Sequence, residues 1–259
     1  MASKSPYFDR SKLLRRLSLL KPNLIQEKLA HDPFKLLVAV TLLNKTTGKV
    51  AIPIFWELDQ RWPTPWALST ADSTELANLL HTLGTYTIRS KRLIELALAY
   101  LKDPPNKYDA RPSRPTLASP IKVSKRIKYP ATPVSHLPGT GPYALDSYRI
   151  FCTAHDDPLS DEWKSVTPTD KELIRFLKWK WATEEQMEWS PETGAAQSLT
   201  IPYLQSLIAE LALRESPTPS PSIKRTCPVE DTTIPTKKRP TTTLAINIPK
   251  PPRPIKRKQ

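Results

Sequence analysis

Apolar residues recur three and four positions apart in segment after segment of this chain, and nowhere do they alternate convincingly with period two. Such spacing gathers apolar side chains on one face of an α-helix. It predicts helices over 24–30, 33–43, 50–58, 74–83 and 88–101, then over 134–137, 142–154, 170–181 and, more weakly, 200–213. Asp72 or Ser73 suits the N-cap of the fourth, and Gly84 its C-terminal stop. With no strand signal and no internal repeat, the sequence predicts an all-α domain.

Proline marks where the domain gives way. The chain has 29 prolines against 5 glycines. From Asp103 to Pro130 there are six prolines, seven basic residues and little apolar periodicity. After Arg214 the text becomes SPTPSPSIKRT and stays in that style. Both stretches have the composition of disordered segments. The resulting organisation is a flexible N-terminal extension over 1–21, a folded domain over 22–214 interrupted by a disordered basic insertion at 103–130, and a disordered basic tail over 215–259.

The charge follows the same division. The net charge is +14, and residues 216–259 (+8) with 101–130 (+6) equal the whole excess. A basic periphery favours a polyanionic partner, nucleic acid ahead of an acidic membrane surface. No stretch approaches the ~20 apolar residues of a membrane span. Cys152 and Cys227, one in an apolar helical pattern and one in the tail, suit a reducing compartment and not a stapling disulfide. Two cysteines are too few for an iron–sulfur cluster or a four-cysteine zinc site. Lys224-Arg225 and Lys237-Lys238-Arg239, eleven residues apart, read as a two-part nuclear address, so the expected location is the nucleus. The basic amphipathic segment Ser11–Leu20 leaves a mitochondrial presequence open.

The stretch that carries chemistry is LPGTGPYALD, residues 137–146. Leu-Pro-Gly-x-Gly makes a tight hairpin between two helices, here over 137–142. Gly139 and Gly141 tolerate positive φ and leave no Cβ, so backbone N–H groups can approach a phosphate. Pro142 suits the first position of the next helix, whose N-terminus favours an anion. Asp146 lies one turn into that helix, near enough to the hairpin to face the same nucleotide. An ionised carboxylate there can stabilise an oxocarbenium-like sugar and orient a water for attack on an N-glycosidic bond. The alternative is an acid placed near a helix start for its dipole alone.

The hairpin followed by aspartate resembles the helix-hairpin-helix DNA glycosylase superfamily that includes endonuclease III. Within it the chain looks most like the glycosylase domain of the methyl-CpG-binding-domain thymine glycosylases. The matching text is QEKLAHDPFKLLVAVTLLNKTTGKVAIPIFW (26–56), LGTYTIRSKRL (83–93), AYL (99–101), LPGTGPYALDSYRIFC (137–152) and EWKSVTPTDKELIRFLKWKW (162–181). The resemblance implies a two-lobed α-helical fold with DNA in the cleft, base flipping, and removal of thymine or uracil opposite guanine. The partner implied is double-stranded DNA holding a mismatched or damaged pyrimidine, bound by a monomer. No cofactor is implied beyond a monovalent cation at the hairpin.

Residue by residue, the resemblance makes Asp146 the catalytic carboxylate and places Gln26 and Tyr100 in the flipped-base pocket. Lys45 stands where the family has an arginine that fills the space the base vacates. Thr85 replaces a wedge leucine. Tyr143 stands where members that also nick the backbone carry a lysine that attacks the sugar as an amine. Tyrosine forms no imine, so the expected enzyme is a monofunctional hydrolase of N-glycosyl bonds with no lyase activity. Asp170, after Thr167-Pro168, reads as a helix N-cap. Trp163, Trp179 and Trp181 read as packing. The rival from another class is a helix-hairpin-helix DNA-binding scaffold without catalysis.

Overall fold

A computed structural model describes residues 6–113 and 129–215. The tail after 215 and the 114–128 part of the insertion lie outside the described residues, and so do the expectations of disorder placed on them. All described residues belong to one compact unit, Met1–Pro217.

Eleven α-helical segments are named here: α1 Pro6–Leu19, α2 Ile25–Lys28, α3 Pro33–Leu43, α4 Gly48–Arg61, α5 Pro65–Ser69, α6 Ser73–Leu79, α7 Tyr86–Lys102, α8 Pro142–Ser147, α9 Thr153–Asp156, α10 Lys171–Lys180 and α11 Ile201–Glu215. A π-helical stretch, Tyr148–Cys152, runs α8 into α9, and a second, Trp181–Glu185, extends α10. Local chemistry starts these helices where the sequence signals them. Asp32 caps α3 by accepting from the amide of Lys35 at 3.1 Å, ahead of Pro33 at the first position. Asp72, not Ser73, caps α6 through the amides of Thr74 and Glu75. Gly84, at φ +67°, stops the turn before α7 in a conformation that glycine adopts at least cost.

Packing divides the helices into two groups. α3 to α7 form one, with α5 and α6 on α7 and α4 on α3; α1, α10 and α11 form the other. α8 and its π-helical continuation join them by packing against α3, and every side chain from Ala144 to Cys152 is buried. The two-lobed helical expectation therefore holds, with one addition. Met187–Ser190 (β1) pairs antiparallel with Gly194–Ser198 (β2) in a small hairpin. No alternation announced it, because Trp189 is its one buried side chain and β2 is exposed along most of its length.

The N-terminal boundary moves. Residues 1–21, expected to be a flexible extension, supply α1, which packs on α11 and buries Leu17 completely. The indole Nε1 of Trp179 donates to the Leu17 carbonyl at 3.0 Å. The apolar spacing that suggested a presequence belongs to a core helix. Trp163 and Trp181 pack at a tilt of 59° with ring centres 5.0 Å apart, in keeping with the packing expectation. At the insertion, Arg111 and Thr132 exchange two backbone hydrogen bonds, of 3.1 and 3.2 Å, so its flanks meet.

Candidate active site

Between the two helix groups lies a cleft of about 940 Å³. Its walls come from the link before α2, from Gln26, from the α3–α4 turn with Lys45, from Tyr143, and from the start of α10. Gln26 is 2% exposed, and its Nε2 donates to the Tyr143 hydroxyl at 2.8 Å. Tyr143 is half-buried. Burial pushes its phenol well above the usual tyrosine range, and the charge of Asp170 adds to this against the hydrogen bond from Gln26. The phenol is therefore neutral and keeps its proton to donate.

Asp170 lines the same cleft. As expected it caps α10: its Oδ1 accepts from the amides of Glu172 (3.0 Å) and Leu173 (3.1 Å). Both amides fall on one oxygen. The site thus joins an amide, a phenol and a carboxylate.

Asp146 is not in this cleft. It is 2% exposed and its Oδ1 accepts from the Tyr129 hydroxyl at 2.8 Å. Successive residues of a helix turn by about 100°, so Asp146 sits roughly 60° around α8 from Tyr143 and one turn deeper. That rotation takes it off the cleft and beneath Tyr129. Spacing along the chain placed it near the hairpin but not the direction of its side chain. Burial pushes the Asp146 carboxyl up to about 6, against the Tyr129 hydrogen bond and the charge of Arg149, while Asp170 raises it further. A carboxyl raised on folding holds its proton longer in the native state, so its contribution to stability falls as pH climbs from about 4, where an unfolded aspartate titrates, to beyond 6. The melting temperature of Asp146→Asn is expected to gain on the wild type across that window. A gap that stays constant with pH would show that Asp146 does not titrate in this setting.

Tyr100, expected in the base pocket, stands apart from the cleft. Its ring meets Phe34 edge-on at 5.1 Å, and burial, with Asp32 and Cys152 nearby, pushes its phenol up to about 12. It is a packing aromatic, and the tyrosine in the cleft is Tyr143. Lys45 is exposed on the cleft wall with φ +58°. Thr85 is exposed at the head of α7 with φ +46°, outside the cleft lining. In the hairpin, Gly139 takes φ +81° as expected, whereas Gly141 is extended and turns its amide back to the Gly139 carbonyl at 3.0 Å. A Cβ on either glycine would meet nothing within 4 Å, so the space before the hairpin is open.

Two residues that the structure brings to the cleft or beneath its wall carry no such role in the sequence. Asp170 was read as a cap only, although it lies in the stretch that carries the resemblance; a cap half-buried against a cleft does not announce a second use. Arg89, buried beneath the Lys45 turn, gave no signal beyond its place in LGTYTIRSKRL.

The model of the HhH-GPD superfamily base excision DNA repair proteins matches residues 38–234. Over 147 residues the chain is 32% identical to a thymine-DNA glycosylase of Aeropyrum pernix, covering 57% of this chain and 53% of that protein. Over 151 residues it is 29% identical to a methyl-CpG-binding domain protein 4-like protein of Arabidopsis thaliana, covering 58% of this chain and 26% of that one. The chain thus spans about half the length, or less, of these relatives. Among solved structures, a thermostable thymine-DNA glycosylase aligns with a TM-score of 0.40 and 16% identity, over 58% of this chain and 62% of that one.

Proposed function

The chain belongs to the HhH-GPD superfamily of base excision DNA repair proteins, and on that footing we propose that it hydrolyses the N-glycosidic bond of a flipped-out thymine or uracil opposite guanine in double-stranded DNA. The observation that carries this reading is the meeting of Gln26, Tyr143 and Asp170 in one cleft. A flipped pyrimidine is held through its hydrogen-bonding edge, which suits the Gln26 amide and the Tyr143 hydroxyl. As the base leaves, positive charge grows on the sugar, and the Asp170 carboxylate stabilises it and orients the water that completes hydrolysis. Asp170, not Asp146, is the catalytic carboxylate, and Tyr143, not Tyr100, lines the base pocket. Lys45, on the cleft rim, fills the vacated space, Thr85 takes the wedge position, and the open face of the Gly139–Gly141 hairpin meets the backbone. The enzyme acts as a monomer in the nucleus, with a monovalent cation at the hairpin as its one candidate ion.

Tyr143 sets the product. It has no amine to attack the sugar, so the backbone is left intact around an abasic site. The test is a single-turnover incubation with G·T, G·U and undamaged duplexes, split three ways. Strand breaks are expected only after alkali, and borohydride is expected to trap no protein–DNA adduct. An adduct that persists in Tyr143→Phe and disappears in Lys45→Ala would identify Lys45 as a nucleophile and overturn the monofunctional reading. Absence of alkali-labile sites from every duplex would favour a binding scaffold instead.

A further inference from the structure

Lys45 and Thr85 lie forty residues apart, in different turns, yet share an unusual backbone. Both take the left-handed conformation that residues other than glycine seldom adopt. Arg89 holds them together. It is 8% exposed, one turn into α7. Its Nε donates to the Thr85 hydroxyl at 3.3 Å. One terminal nitrogen donates to the carbonyls of Thr41 (2.9 Å) and Leu42 (2.7 Å). The other donates to the Asn44 carbonyl (2.9 Å) and the Thr46 hydroxyl (2.7 Å).

All five N–H donors of the guanidinium are therefore engaged. They take up carbonyls at the C-terminal end of α3, where a helix leaves acceptors without partners and favours a cation. They also flank Lys45 on both sides, at Asn44 and Thr46. Arg89 does not line the cleft. Burial makes this network costly to break, since each freed carbonyl would be left without a partner. A lysine has three donors on a compact head and cannot reproduce the fork.

We infer that Arg89 is a positioning residue that locks the Lys45 turn and the Thr85 turn into one rigid unit, so that both enter a duplex together and hold it open around the extruded base. The inference rests on the glycosylase reading of the cleft. It assigns Arg89 to duplex opening and not to bond cleavage, and that distinction is measurable.

The experiment compares the full chain with Arg89→Lys on two substrates: uracil paired opposite guanine, and the same uracil in an unpaired bubble where opening is already done. Displacement of a positioned group by about 1 Å can cost on the order of a hundredfold in rate. A loss of that order, tenfold or more, is expected on the paired substrate, with a much smaller loss on the bubble. A 2-aminopurine next to the uracil is expected to brighten when the wild type binds the paired duplex and to stay dim with Arg89→Lys. Equal losses on both substrates, or none on the paired one, would overturn the inference. If Arg89→Lys does not fold, Thr46→Val removes one hydroxyl partner of Arg89 while leaving the Thr85 and Lys45 side chains in place, and it is expected to show the same selective loss in smaller measure. If the wild type releases no base from either substrate, the glycosylase reading fails, and the 2-aminopurine signal alone decides the role of Arg89.

Discussion

Asp170→Asn is expected to slow base release by roughly 10²–10⁴-fold, the range that a positioned acid or base contributes, while leaving duplex affinity largely intact. Asparagine removes the negative charge that the leaving base calls for. It ranks with aspartate as an N-cap, so the bonds to the amides of Glu172 and Leu173 survive and α10 stays in place. The loss would therefore report on chemistry and not on folding. Asp146→Asn is expected to release base at close to the wild-type rate. Its side chain faces Tyr129 in the interior, and the asparagine oxygen can still accept that hydroxyl. Single-turnover rates together with filter binding separate the cases. A fast Asp170→Asn, or a Asp146→Asn that binds normally and fails to cleave, would return the catalytic role to Asp146.

The largest expected effect on stability comes from Leu17→Ala. Leu17 is fully buried where α1 packs on α11, beside the Trp179 bond to its own carbonyl. Removing three carbons from such a site costs about 2–5 kcal/mol through lost burial and the cavity left behind. For a domain of this size, at about 2–4 °C per kcal/mol, the melting temperature should fall by roughly 4–20 °C. A melting temperature unchanged from wild type would mean that α1 is an appendage, as the flexible-extension reading had it.

Most of the helical framework was legible because it depends on periodicity and on caps, both local in sequence. Asp72, Gly84 and Asp170 act on residues within three positions of themselves, and the text shows them. Three things were not legible, each for a physical reason. α1 carries a helical apolar pattern, but only the distant α11 makes it a core element. The β1–β2 hairpin buries one tryptophan, too little for an alternating signal. The inward turn of Asp146 depends on Tyr129, seventeen residues earlier and beyond the hairpin. For the site, Gln26 and Tyr143 were both singled out from the sequence, the first as a base-pocket residue and the second only for the amine it lacks. Their hydrogen bond, and their sharing of a cleft with Asp170, exist only in three dimensions. Tyr100 illustrates the converse: the match in AYL was real, yet its ring is spent on Phe34.

The most direct test counts free thymine and uracil released per protein molecule, by chromatography, in one turnover with G·T, G·U and G·C duplexes. The wild type and Asp146→Asn are expected to release base from the two mismatches and not from G·C, and Asp170→Asn to release almost none. No base from any duplex with the wild type, or release that survives in Asp170→Asn and vanishes in Asp146→Asn, would contradict the account.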